Sequence, residues 1–151
     1  MKSLRWVLPA LCVFLVSTSL VSARLMGAWS YQRLLEKSDL VVVASPVTVE
    51  DTQERLGLPG LESQRVIGVE TKLQVAAVFK GDKEIKSIVL HHYRADGPSV
   101  PNGPNLVAFD PSKKRAFLIF LVREQDGRYA PASGQIDPAM FAVHALEGPL
   151  D

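Results

Sequence analysis

The sequence has one cysteine, Cys12, close to its N-terminus. A lone cysteine excludes an intramolecular disulfide and a zinc site built from several thiolates. Leu11, the preceding residue, is too large for the usual lipoprotein cleavage position, so we do not expect lipidation at Cys12. If the N-terminal segment is removed, no cysteine nucleophile remains either.

Long apolar runs near the N-terminus are also lacking. Trp6–Val16 spans 11 residues, which as a helix reach about 16 Å, whereas the hydrocarbon of a bilayer is about 30 Å thick. The basic residues Lys2 and Arg5 precede this run, and a small, polar stretch ending at Ala23 follows it. This order predicts a secretory signal peptide over residues 1–23 rather than a membrane anchor.

Cleavage after Ala23, with Ala28 as a second candidate, predicts an exported protein. We expect it to be secreted or periplasmic and to have no stable membrane anchor after cleavage. The remaining residues, 24–151, have the length of one domain. A chain of this size can bury enough apolar surface to fold without disulfides.

A large excess of one charge is lacking as well. The chain has 17 basic and 16 acidic residues, a formal net charge of +1. Residues 1–23 hold two of the basic residues and no acidic one, so cleavage leaves a slight excess of acidic residues. The densest basic cluster, Lys113–Arg115, lies where a loop enters a predicted strand. We therefore expect no nucleic-acid partner.

Sequence motifs of common enzymes are absent. There is no G-x-S-x-G nucleophile elbow, no P-loop and no dinucleotide-binding glycine pattern. The acidic residues Glu50, Asp51 and Asp137 are explained as a loop start and a helix N-cap. We expect no assembled catalytic set and no cofactor, and hence a non-enzymatic protein.

Apolar periodicity predicts secondary structure from Ser30 onward. Ser30 is a good N-cap for a short helix, Tyr31–Lys37, and Trp29 and Leu34 can pack together across its start. The residues that follow, Leu40–Ala44, are apolar on both alternating faces and predict a strand buried on both sides. The polar stretch 51–64, which holds Gly57, Pro59 and Gly60, predicts a flexible loop.

Further strands follow in the second half of the chain. From Val69 to Ala77, apolar residues alternate with charged ones, which predicts a strand with one face inside, and Gly68 marks a bulge or bend. The segments "IKSIVLHHYR" and "RAFLIFLVRE" predict two more strands. Asp126-Gly127 predicts a hairpin with a type I′ turn that leads into "RYAPAS".

The C-terminal segment predicts a helix. Asp137-Pro138 is a favourable start, and Gly148-Pro149 is a favourable end, for the apolar body "AMFAVHAL". Together these patterns predict an α+β fold. We expect a five- or six-stranded antiparallel OB-like β-barrel with a short N-terminal helix and a C-terminal helix.

The stretches "SDLVVVASPV", "TKLQVAAVFKGD", "IVLHHYR" and "FLIFLV" occur in an order that resembles netrin-like modules and tissue inhibitors of metalloproteinases. They are also similar to small exported bacterial proteins. The resemblance implies a secreted OB-type barrel with packed helices. One departure matters: those inhibitors bind the protease zinc through an N-terminal cysteine, whereas here Arg24, or Trp29 after the alternative cut, would begin the mature chain. That inhibitory chemistry is not implied for this protein.

Two adjacent histidines, His91 and His92, lie within a predicted strand. Successive side chains of a strand point to opposite faces, so these two cannot ligate one metal together. A site made from one of them, His144 and an acid such as Asp96 or Asp110 is an alternative, which predicts a small metal-dependent hydrolase. The other interpretation is one histidine half-buried near the barrel end and the other on the surface.

A binding surface requires fewer assembled groups than a catalytic site. His92, Tyr93 and Arg94 stand at a strand end before a long loop rich in proline and glycine, where aromatic and guanidinium groups could recognise a ligand. We therefore expect a binding module for a protein or a glycan. A third interpretation is an envelope structural protein that self-associates through its terminal helix, with Met140 and Phe141 at the contact.

Overall fold

The computed structural model describes residues 29–58, 61–98, 105–134 and 141–147. The predicted signal peptide and its cleavage site at Ala23 lie outside these residues. The elements in chain order are helix α1 (Tyr31–Lys37), strands β1 (Leu40–Leu58), β2 (Leu61–Lys80) and β3 (Ser87–Ala95), a 3-10 helix (Pro111–Lys113), and strands β4 (Phe117–Arg123), β5 (Tyr129–Pro131) and β6 (Val143–Ala145).

Five of the strands form a closed barrel. They pair in the order β1-β2-β3-β5-β4, and β4 pairs in turn with β1. The short strand β6 pairs with the first half of β4, whereas β5 pairs with its second half. The barrel therefore has five strands, with one additional strand and one helix packed on it.

The predicted antiparallel arrangement is wrong at one pairing. Leu90 of β3 and Tyr129 of β5 are partners in a parallel pair, so the sheet is mixed. The physical reason is geometric: a closed ring of five strands cannot alternate direction at every step, so at least one neighbouring pair must be parallel. The hairpin between β4 and β5 makes those two strands antiparallel, and the parallel pair is the one between β3 and β5.

Helix α1 forms as predicted and covers one side of the barrel. The Ser30 side chain accepts a hydrogen bond from the backbone N–H of Arg33 at 3.2 Å, which caps the helix start. Leu34 is fully buried against Val41 and Phe120, with Trp29 packed beside it. No helix within the described ranges is long and apolar enough to cross a membrane.

The barrel interior is filled by alternate side chains of its strands. In β2, Val69 and Leu73 point inward and are buried while Lys72 and Gln74 are exposed, which confirms the predicted alternation. Leu40–Ala44 is buried on both faces, also as predicted, because the interior lies on one side and α1 on the other. The buried interior set comprises Leu40, Val42, Ala44, Leu73, Val75, Ile88, Leu90, Val107, Phe117, Ile119, Leu121 and Val143.

The loop predicted over 51–64 is wrong at the described residues 51–58 and 61–64. β1 continues to Leu58 and β2 begins at Leu61, so these residues belong to two long paired strands. Strands pair through backbone hydrogen bonds, which do not require apolar side chains. The polar composition of this stretch therefore did not exclude a strand. The register slips between Asp51 and Arg55, where β1 carries extra residues opposite β2.

The predicted C-terminal helix is also wrong over the described residues 141–147. Val143–Ala145 is strand β6, while residues 135–140 and 148–151 lie outside the described part. The backbone N–H of Phe120 donates to the carbonyl of Ala142 at 2.8 Å, and that of Leu146 to the carbonyl of Ala116 at 2.9 Å. β5 leaves the first half of this edge of β4 without a partner. Pairing of Val143–Ala145 there satisfies backbone groups of β4 and of β6, and this tertiary pairing overrides the local helix preference.

Candidate functional site

His91 and His92 point to opposite sides of β3, as the strand alternation predicts. His92 lies opposite Val69 and faces the interior, whereas His91 lies opposite Glu70 on the outer side. Both are buried, with 4% of His91 and 2% of His92 exposed. The expectation of a half-buried and a surface histidine is therefore wrong, because other side chains cover the outer face at His91.

His92 lies in an apolar environment inside the barrel. Its Nε2 forms a hydrogen bond of 2.8 Å with Thr71 Oγ1, and its ring meets the ring of Phe109 edge to face, with centroids 5.4 Å apart. Desolvation by burial lowers the pKa of His92 to about 4, partly offset by the backbone of Val107. The ring is therefore neutral at physiological pH.

His91 is held between two carboxylates. Its Nε2 lies at the hydrogen-bond distance of 2.8 Å from Glu54 Oε2, and its Nδ1 lies 2.9 Å from Glu124 Oε2. Ionised carboxylates only accept hydrogen bonds, so both contacts form together when both ring nitrogens carry hydrogen. These two contacts join β1 to the hairpin after β4 through the His91 ring.

Tyr93 packs with His91, Glu54 and Glu124 on the outer side of β3. We call this group the outer cluster. The ring of Tyr93 lies edge to face with His91 at a centroid distance of 5.0 Å, and its hydroxyl donates to Glu54 at 3.3 Å. Burial raises the pKa of Tyr93, and the neighbouring Glu54 carboxylate raises it further. Tyr93 therefore remains a neutral donor that helps to fix Glu54 against His91.

Gly68 is the sequence feature that allows this cluster. The irregular segment of β1 carries Thr52 and Glu54 directly over Gly68, which lies opposite Tyr93 on β2. A Cβ at position 68 would lie 2.5 Å from Thr52 Oγ1 and 2.7 Å from Glu54 Oε2, closer than van der Waals contact allows. The bend predicted at Gly68 is thus a place where a side chain from β1 crosses β2 to reach His91.

Arg128 fixes the predicted hairpin after β4 to the same cluster. Its guanidinium donates to Glu70 at 2.9 Å and to Asp126 at 2.8 Å, and it lies 3.7 Å from Glu124. The backbone N–H of Glu124 donates to the carbonyl of Arg128 at 2.8 Å, which closes the turn. Gly127 supplies the positive φ of 93° that this turn needs, but Asp126 has no positive φ, so the predicted type I′ turn is wrong although the hairpin forms. These contacts hold the hairpin rigidly against β2 and β3.

The predicted ligand-binding residues do not share one surface. His92 is inside the barrel, Tyr93 is largely buried in the outer cluster, and Arg94 is exposed. The guanidinium of Arg94 makes a two-point ion pair with Asp51 of β1, and this hydrogen bonding lowers the pKa of Asp51. A role in ligand binding for His92, Tyr93 and Arg94 stays a prediction.

The three histidines have different partners. His144 Nε2 forms a hydrogen bond of 3.0 Å with the hydroxyl of Tyr31 on α1, on the side of the barrel that the helix covers. Asp110 caps the 3-10 helix through Ser112. Within the described ranges, no group of three or more histidine, cysteine or acidic residues is arranged to hold a metal ion.

A cleft of about 430 Å³ lies between the start of β3 and the hairpin after β4. We call it the hairpin cleft. It is lined by Lys72, Ile85, Ser87, Ile88, Val89, Arg123, Asp126, Gly127, Arg128 and Tyr129. Its volume falls within the range of small-ligand sites.

The charged groups of the hairpin cleft differ in how they are paired. Arg128 is bound to carboxylates, as described above. The side chains of Lys72 and Arg123 make no hydrogen bond or ion pair with other described residues. The sequence indicated that Lys72 faces outward, but it gave no sign that Arg123, in a distant strand, lies at the same cleft.

No model of a known protein family matches the chain, and no curated protein matches it. The netrin-like resemblance therefore stays a prediction.

Proposed function

We propose that the chain is an exported, non-enzymatic binding module with an OB-like barrel, and that it binds a protein or glycan ligand in the hairpin cleft. The strand order β1-β2-β3-β5-β4 and the return to β1 support the OB-like assignment. Barrels of this type commonly bind ligands on a strand face framed by loops.

One observation carries the proposal: two cations without partners among the described residues, Lys72 and Arg123, stand at a concave site beside apolar side chains. Tyr129 and Ser87 add hydroxyl groups, while Ile88 and Val89 give apolar contact. Binding sites typically combine a mainly apolar lining with a few well-placed polar groups. The outer cluster around His91 has its hydrogen bonds satisfied internally, so it serves to hold the hairpin wall of this site.

The proposal can be tested by filling the cleft. Residues 24–151 would be screened against a glycan array and against proteins of the cell envelope. A true ligand should bind the wild type and be lost from the Ser87→Trp variant, whose larger side chain occupies the cleft. Thr48→Trp places the same side chain at an exposed strand position of β1 and should retain the ligand. Equal binding by both variants would exclude the hairpin cleft as the site.

Export is tested separately by the mass of the protein recovered outside the cytoplasm. We expect a chain that begins at Arg24, or at Trp29 if the alternative cut is used. A recovered chain that still begins at Met1 would contradict the signal peptide.

A second candidate function is self-association, which a different observation favours. An apolar groove of about 360 Å³ between α1 and the barrel is lined by Tyr31, Gln32, Leu35, Val41, Phe79, Leu118 and Phe120. Phe79, Tyr31 and Leu35 of this groove are 63%, 56% and 47% exposed, and apolar side chains exposed together in one patch are typical of an interaction site. Sedimentation should then show a dimer that Phe79→Ser dissociates. A monomer at high concentration would remove this candidate.

A further inference from the structure

β3 has a free edge at the hairpin cleft. On one side it pairs with β2 along its whole length, from Ser87 to Ala95. On the other side, within the described part of the chain, its strand pairing is limited to Leu90 with Tyr129. Because β5 begins only at Tyr129, the place beside Ser87–Val89 is cleft rather than strand. Unpaired edges of this kind can accept an added strand through backbone hydrogen bonds.

The charges at this edge favour an acidic partner. Lys72 lies on β2 opposite Val89, and Arg123 lies on β4 opposite Tyr129. The guanidinium of Arg128 is already matched by Glu70 and Asp126, so it contributes little free positive charge. Lys72 and Arg123 thus flank the Val89 end of the free edge, Lys72 on the β2 side and Arg123 on the β4 side, and neither side chain is paired with a carboxylate of another described residue.

We propose that the hairpin cleft binds an acidic peptide segment in extended conformation, paired with the Ser87–Val89 edge of β3. This rests on the proposed binding function and specifies its ligand. The backbone of the peptide would bond to β3, and its acidic side chains would meet Lys72 and Arg123. A glycan could satisfy the two cations, but it has no amide groups with which to continue the strand ladder.

The length of the free edge sets the size of the ligand. Three strand residues span about 10 Å, so a peptide of about five residues would cover the edge and both cations. Electrostatic pairing at such an exposed site is weakened by salt. The affinity should therefore fall as ionic strength rises.

The experiment uses residues 24–151 and three probes at low salt. The first is a fluorescein-labelled peptide of eight residues that alternates threonine and glutamate. The second is the same peptide with lysine in place of glutamate, and the third is an acidic oligosaccharide of three uronic acids. We expect fluorescence anisotropy to report binding of the glutamate peptide and neither of the other two.

Variants of both partners test the two parts of the inference. Lys72→Ala with Arg123→Ala should weaken binding of the glutamate peptide at least tenfold, and the charge reversals Lys72→Glu with Arg123→Glu should bind the lysine peptide instead. The control pair, Lys37→Ala with Arg115→Ala, removes the same charge from exposed positions outside the cleft and should change affinity less than twofold. N-methylation of alternate amides of the peptide should abolish binding, because it removes the donors of the strand ladder.

Three outcomes would overturn the inference. One is binding of the oligosaccharide without the peptide, which would leave the proposed function intact. A second is peptide binding that N-methylation does not affect. The last is failure of all three probes to bind while Ser87→Trp still abolishes capture of some other ligand. If Ser87→Trp abolishes nothing, the proposed use of the cleft fails as well.

Discussion

His91 and His92 are adjacent in the chain, yet they lie in two regions with different surroundings, the outer cluster and the barrel interior. In the barrel interior, the neutral ring of His92 bonds to Thr71 and packs edge to face on Phe109. The outer cluster places His91 between the carboxylates of Glu54 and Glu124. The comparison teaches that two histidines buried to the same extent can have different surroundings, because strand alternation turns one toward apolar groups and the other toward carboxylates.

The two regions should also differ in how strongly they stabilise the fold. Leu90 is fully buried in the interior, next in sequence to the outer cluster. Leu90→Ala should lower the free energy of unfolding by about 2–5 kcal/mol, because it removes apolar contacts and leaves a cavity. Urea denaturation measures the loss. Leu56→Ala, at a position 46% exposed, should change the stability by about 0.5 kcal/mol at most, and a similar loss for both variants would contradict the prediction.

The interior histidine predicts a specific dependence on pH. The folded protein resists protonation of His92, whose pKa is about 4, whereas the unfolded chain takes up that proton near the ordinary value of 6.5. Stability should therefore be fully present above pH 6.5 and fall as the pH is lowered toward 4, by about 3 kcal/mol from this residue.

Two measurements check this dependence. The His92→Gln variant should lose stability less steeply than the wild type between pH 6.5 and 4, because glutamine does not titrate. NMR titration of the ring itself should give a midpoint near pH 4. Parallel stability curves, or a midpoint near 6.5, would show that the interior does not exclude the charged ring.

Gly68 tests how much the outer cluster contributes. Gly68→Ala puts a methyl group where Thr52 and Glu54 now lie, so Glu54 should move away from His91. We expect a loss of about 1–3 kcal/mol in the free energy of unfolding, measured by urea denaturation. Gly57→Ala is the matched control, because a Cβ there meets nothing within 4 Å. If both variants have wild-type stability, the close crossing at Gly68 does not hold the cluster together.

Some elements could be predicted because local signals suffice for them. Helix α1 has its cap and its buried Leu34 within a few residues of sequence. The alternation in β2, and the opposite directions of His91 and His92, follow from the two-residue period of a strand. The hairpin at Asp126-Gly127 follows from turn residues that tolerate a positive φ.

Other features depended on partners distant in the sequence. Val143–Ala145 was predicted to be part of a C-terminal helix, but it pairs as a strand with the first half of β4. The polar stretch before Leu58 is strand because β2 runs back beside it. Glu54, Glu124 and Arg128 gave no sign of a common site, because their meeting at His91 requires both the bulge over Gly68 and the closed barrel.

The sequence by itself determined which side chains of each strand face inward, since the alternation of apolar and polar residues is a local property of the backbone. The tertiary structure alone decided which strands became neighbours, and so which carboxylates reach His91 and which cations at the hairpin cleft lack a partner among the described residues. The reason is that a strand's period is fixed within its own residues, whereas its partners are fixed by closure of the whole barrel.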